Sequence, residues 1–208
     1  MKNNPLHQLI SSRNVIILAL FVFVSIHLIF GYWRKPGTII KSDVLEYYAY
    51  LPAACIHGDL TLKFKETDPE FFSDKIWGHQ IGDNYVIKVS MGMSMMYAPF
   101  FLLSHGIALL SSWEANGYTN PYAAGLTIAS LFYFLWGLFL LRKILKTYYS
   151  DKTTAITLLI IALGTNVIYY LTKEAALSHT FSFFLITSFV YLSQKWHKHP
   201  SYKTSLLL

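Results

Sequence analysis

A single cysteine, Cys55, excludes an internal disulfide and any paired-thiol motif from this chain of 208 residues. Charge is also scarce: Asp, Glu, Lys and Arg together make up 13% of the residues, about half the share usual in soluble domains. The excess of cations, a formal +6, might have pointed to nucleic acid, but these cations are scattered at the ends of apolar runs and build no patch on a soluble domain. Nucleic acid is therefore excluded as a partner. What the sequence does have is apolar surface, with 54% hydrophobic and 17% aromatic residues gathered in long blocks rather than in alternation. That pattern predicts an all-α integral membrane protein.

Residues 1–14 read as a cytoplasmic leader carrying Lys2 and Arg13, and Val15–Trp33 as a first transmembrane helix. The run ends in FGYWRK with no small-residue cleavage pattern, so it reads as an uncleaved span, with Tyr32 and Trp33 as interfacial aromatics. Residues 34–121 then form a large outer loop, which holds eight of the eleven acidic residues before Tyr85. Within it a helix over 43–56 ends at His57-Gly58, TLKFKE reads as a short extended piece, and TDPEFFSD reads as a turn. A small β-hairpin follows around Gly82-Asp83-Asn84.

The apolar run 90–113 is long enough to cross, but charge parity predicts that it lies along or dips into the outer surface. Only then do Lys2 and Arg13, the cluster Arg142, Lys143, Lys146 and Lys152, and the tail Lys195, Lys198 and Lys203 all fall on the cytoplasmic side. Residues 122–208 supply transmembrane helices two to four, over Tyr122–Leu141, Thr153–Leu171 and His179–Leu192, about four spans in all. The closing Ser205-Leu206-Leu207-Leu208 reads as the start of a fifth span, and the chain as the N-terminal portion of a larger membrane protein.

The stretch KSDVLEYYAYLP, Lys41 to Pro52, carries the clearest functional signal. Asp43, Glu46, Tyr47 and Tyr50 recur at i, i+3, i+4 and i+7 and so share one helical face, with Ser42 placed to cap its start. Ionisable groups at the mouth of a span are costly unless something uses or pairs them. The same spacing also suits an interfacial helix whose acids face water while its tyrosines sit among headgroups. Parity puts the loop YYLTKEAALSH on the same side, so Lys173, Glu174 and His179 share a compartment with Asp43, Glu46 and Lys88. Two carboxylates with cations nearby suit a site in which one accepts a hydroxyl proton and lysine holds a phosphate. Lys173 and Glu174 fit equally well as ordinary interfacial residues.

The segments SDVLEYYAYLPA, KVSMGMSMMYAPFFLLSH, ANGYTNPY and ALSHTFSFFL resemble a bacterial branch of the GT-C class of polytopic membrane glycosyltransferases. The protein O-mannosyltransferase and aminoarabinose-transferase type enzymes are the nearest relatives by that resemblance. It implies transfer of a sugar from a polyprenyl-phosphate donor, itself a membrane lipid, to an acceptor that the sequence does not name. The place would be the outer face of the bacterial cytoplasmic membrane, with the N-terminus cytoplasmic. It also implies that Asp43 is the catalytic base or a metal ligand, that Lys88 contacts the donor phosphate, and that Glu174 matches a later acidic position. Glu46 joins them as a catalytic candidate, and Tyr47 and His179 as substrate-binding candidates. No cofactor is required by this reading, which leaves room for a divalent cation at the leaving phosphate. Two departures stand out: the Asp-Glu dipeptide of the mannosyltransferases is missing, and Val89-Ser90 stand where relatives carry proline.

Three other readings compete. Met91, Met93, Met95 and Met96, with His57, His79 and His105 elsewhere, suit copper, though methionines in an apolar segment are more often flexible filler. A non-catalytic transporter or lipid-carrier component would centre on Gly164-Thr165-Asn166, the polar break inside a span. The chain also fits an inactive fragment.

Overall fold

The computed structural model describes residues 11–76, 78–82 and 84–206, so most of the predicted leader and the last two leucines of the suspected fifth span lie outside the described residues. The described chain is mostly helical, with one two-stranded antiparallel hairpin, and divides into two compact units. The first comprises residues 1–29, 130–172 and 178–208, and the second 30–129 and 173–177.

In the first unit, helix α1 (Ser12–Phe30) buries Val15, Ala19, Phe23 and His27, each four residues from the last. This stripe meets helix α4 (Asn120–Leu145) and helix α5 (Asp151–Leu163), with Phe23 edge-on to Phe134 at 5.9 Å and Leu138, Ala155, Leu158 and Ala162 filling the remaining space. Ser12 touches Arg142 at one end of α1, and Phe23 touches Phe134 further along, so α1 and α4 run antiparallel. Helix α7 (Ser178–Lys198) runs parallel to α4, since Ser130 bonds Thr180 at 2.8 Å while Lys143 lies over Tyr191. Gly137 permits their close approach, because a Cβ there would come within 2.7 Å of the Phe183 ring. Small residues at helix contacts are what packing within lipid demands, where burial of apolar surface drives little. The outward face of α1 exposes Ile17, Leu20, Phe21, Leu28 and Ile29.

An ion-pair staple closes one end of this unit. Asp151 accepts from the Ser12 backbone amide at 2.9 Å and its hydroxyl at 2.5 Å, and pairs with Lys146 at 3.1 Å; Arg142 donates to the same Ser12 hydroxyl at 2.7 Å. These bonds hold the Asp151 carboxyl down at about 2. The antiparallel and parallel pairings thereby gather Arg13, Arg142, Lys143, Lys146, Lys152, Lys195 and Lys198 at a single end.

In the second unit, helix α2 (Asp43–Tyr48) continues through the turn Tyr50–Pro52 and a wide turn over Ala53–His57, and Gly58 stops it at φ 63. A left-handed backbone there costs glycine nothing, and the chain can leave the helix. Strands β1 (His79–Ile81) and β2 (Asn84–Val86) pair with His79 opposite Val86, and Gly82 supplies the positive φ of the two-residue connection; Asn84 is already in the strand rather than in the turn. Helix α3 (Gly92–Leu109) completes the unit with the first turns of α4 and the loop 173–177.

Among the described residues three helices, α1, α3 and α4, are long and apolar enough to cross a membrane. At 1.5 Å per residue α1 reaches roughly 28 Å, close to a hydrocarbon core of about 30 Å.

Several predicted boundaries shift. The first apolar helix ends at Phe30 and a tighter turn takes Tyr32–Arg34. Thr153–Leu171 is two helices, α5 and α6 (Val167–Thr172), because the Thr165 hydroxyl satisfies the Ile161 carbonyl and faces the Val167 amide, ending one helix and capping the next. The helix predicted to stop near Leu192 continues to Lys198, since SQKWHK contains no glycine or proline. TLKFKE is not extended but a tight turn over Lys63–Glu66, entered through Leu62 at φ 59, and Asp68 caps a further turn, Pro69–Phe72, by accepting from the Phe71 amide at 3.0 Å.

Candidate functional site

Helix α2 folds because its residues separate cleanly by face. Val44, Leu45 and Tyr48 are buried, whereas Asp43 is exposed and Glu46, Tyr47 and Tyr50 are half-buried. Tyr48 is sealed inside the unit and its hydroxyl donates to the Gly117 carbonyl; burial pushes its ionisation well above 10, so the hydroxyl keeps the proton it donates. Two further bonds fix α2 and the turn after it to the start of α3 and the residues before it. The Tyr50 hydroxyl donates to the Val89 carbonyl at 2.6 Å, and the Ser94 hydroxyl donates to the carbonyl of Tyr47.

The start of α2 differs from expectation. Ser42 occupies the capping position but its hydroxyl makes no capping bond, and its backbone stands at φ 48, ψ −134. A serine pays steric energy for that conformation. The turn is closed instead by the backbone, with the amides of Val44 and Leu45 donating to the carbonyls of Lys41 and Ser42 at 3.0 Å each.

The two predicted carboxylate-bearing loops meet at this point. Lys41 Nζ lies 2.8 Å from Glu174 Oε1, and the Glu174 side chain is only 16% exposed. The Tyr97 hydroxyl anchors the same loop by donating to the Ala176 carbonyl, with Ala175 and Ala176 buried beside it. Lys41 is two residues from Asp43, so their Cα atoms lie within about 7.6 Å. The helix bearing Asp43 and the loop bearing Glu174 are thus joined by an ion pair.

The remaining candidates each have surroundings of their own. Glu46 sits 3.8 Å from His79 Nε2, an ion pair only when that imidazole is protonated. Lys88 is exposed, directly before the residue whose carbonyl holds Tyr50. Tyr47 contributes its backbone to the clamp with Ser94. His179 belongs to the first unit, at the start of α7, where its ring stacks on Tyr170 at 3.7 Å. Among the described residues neither Asp43 nor Lys88 has a hydrogen-bond or ion-pair partner.

The three acids differ in their surroundings: Glu174 pairs with Lys41, Glu46 lies near the His79 imidazole, and the Asp43 side chain is exposed. Two of the histidines weighed for copper have other contacts: His57 stacks on Phe64 at 4.0 Å and His105 Nδ1 bonds the Tyr122 hydroxyl at 2.7 Å. Among the described residues no three His, Cys, Asp or Glu side chains gather as a metal site. Lys41 was missed in the sequence, where it stands two places ahead of Asp43 with nothing to mark a partner 133 residues away.

Comparison with protein families, with curated proteins and with solved structures finds no match to this chain.

Proposed function

We propose that this chain is a multi-pass membrane glycosyltransferase chain that moves a sugar from a polyprenyl-phosphate donor to an acceptor hydroxyl on the outer face of the bacterial cytoplasmic membrane. The observation that carries the reading is the Lys41–Glu174 ion pair, which ties a second carboxylate-bearing loop to the base of the Asp43 helix. Topology supports it. With the cation-rich end of the first unit facing the cytoplasm, antiparallel α1 and α4 leave residues 31–119 beginning and ending on the outer side. In that arrangement α3 lies on or dips into the outer leaflet despite its length.

Asp43 then serves as base. The acceptor hydroxyl gives its proton to the carboxylate and forms a bond to the anomeric carbon, while the bond from that carbon to the phosphate oxygen breaks and the phosphate leaves with the electron pair. Lys88 meets the charge on the leaving phosphate. The test is transfer by the full-length protein in vesicles loaded with polyprenyl-phosphate sugar. Asp43→Asn should lower turnover about 10²–10⁴-fold while thermal unfolding is unchanged, because the side chain is exposed. Wild-type turnover in that variant removes Asp43 from the mechanism.

The transport reading is weaker. Gly164 and Asn166 at the break between α5 and α6 are exposed, and the Thr165 hydroxyl is spent on the helix backbone.

A further inference from the structure

Between α4 and α7, at the cation-rich end of the first unit, lies a cavity of about 180 Å³. Tyr191, Gln194, Lys195 and Lys198 recur at i, i+3, i+4 and i+7 and so present one face of α7 to it, and Lys143 enters from α4 with His199 closing the side. Lys143 Nζ rests 4.5 Å from the centre of the Phe139 ring and 5.5 Å from that of Tyr191, contacts that hold an ammonium beside aromatic faces without neutralising it.

The neighbouring cations differ in kind. Arg142 and Lys146, on the next face of α4, share Asp151. Among the described residues Lys143, Lys195 and Lys198 have no acidic partner, Asp151 being engaged by Arg142, Lys146 and Ser12. Lys143, Lys195 and Lys198 line the same cavity with solvent-exposed side chains, and a shared anion would offset their like charges. Lysine ammoniums, the Gln194 amide and the Tyr191 hydroxyl together suit an acceptor with several oxygens. On the preceding turns of α7, Ile186, Phe189 and Val190 are exposed apolar surface that an acyl chain would cover.

We propose that this pocket binds a phosphate group, held by Lys143, Lys195 and Lys198, whose source is the headgroup of an anionic phospholipid or a free phosphate. This site is separate from Asp43 and stands whether or not the protein transfers sugar.

The experiment measures retention of phosphatidylglycerol, phosphatidylcholine and inorganic phosphate by the full-length protein in detergent. Phosphatidylglycerol should be held at least about tenfold more tightly than phosphatidylcholine. Lys195→Gln and Lys198→Gln should each weaken binding about fivefold. Lys152→Gln, which removes an exposed cation outside the pocket, should leave it unchanged. Displacement of the lipid by millimolar inorganic phosphate, with the same lysine dependence, makes the phosphate alone sufficient; failure to displace it makes the lipid the source. Equal retention of phosphatidylcholine, wild-type binding in both glutamine variants, or no binding of either phosphatidylglycerol or inorganic phosphate overturns the proposal. Unchanged thermal unfolding in the glutamine variants separates loss of the site from loss of the fold.

Discussion

Lys41 Nζ and Glu174 Oε1 stand 2.8 Å apart, across 133 residues of chain, with the lysine side chain 37% exposed and the glutamate 16%. The pair lies between a solvent-screened surface bridge and a buried one, so its coupling should be about 1 kcal/mol. A double-mutant cycle of Lys41→Met and Glu174→Gln, read by thermal unfolding in detergent, should find that coupling and a smaller loss in the double variant than the single losses sum to. Strictly additive losses would mean that the two loops are held together by Tyr97 and the buried alanines alone.

Much of the second unit was legible because single residues dictate local geometry. Gly58 had to end the helix and Gly82 had to turn the hairpin, since each adopts a left-handed backbone that other residues resist. The polar face of α2 followed from spacing, and Val44, Leu45 and Tyr48 indeed turn inward. Ser42 and Leu62 were illegible for the complementary reason: non-glycine residues at positive φ are imposed by their surroundings and leave no local mark. The break after Leu163 was visible as composition, yet what ends the helix is the Thr165 hydroxyl turning to its own backbone. Charge parity led to the expectation that Asp43 and Glu174 share a compartment, but it could not supply Lys41 as the link between their segments. The lysines of α4 and α7 were read only as topological charge, because their convergence depends on the parallel packing of two helices.

The strained turn before Asp43 gives a test of whether stability was traded for position. Ser42→Gly should raise stability by about 1 kcal/mol, since relief of a backbone cost of about 1–3 kcal/mol exceeds the added freedom of the unfolded chain. Ser42→Ala should be near neutral, because the hydroxyl makes no capping bond. If the conformation serves to aim Asp43, transfer by the glycine variant falls even as its unfolding temperature rises. A glycine variant less stable than wild type would show that Ser42 is not strained.

Asp151 predicts how the first unit responds to acid. Its carboxyl is held at about 2, below an ordinary 3.8, by the hydroxyl and amide of Ser12 and then by Lys146, so the folded state favours the ionised form. A depressed carboxyl contributes stability that is complete above about pH 4 and is lost as pH falls towards 2. With the side chain 38% exposed, solvent screens the pair and the contribution is held to about 1 kcal/mol or less. Asp151→Asn should therefore unfold at a lower temperature than wild type at pH 6, and the gap should close between pH 4 and pH 2 as the wild-type carboxyl takes up its proton. A gap that persists at pH 2 would assign the effect to the hydrogen bonds that Ser12 gives the carboxyl and to packing rather than to the carboxylate charge.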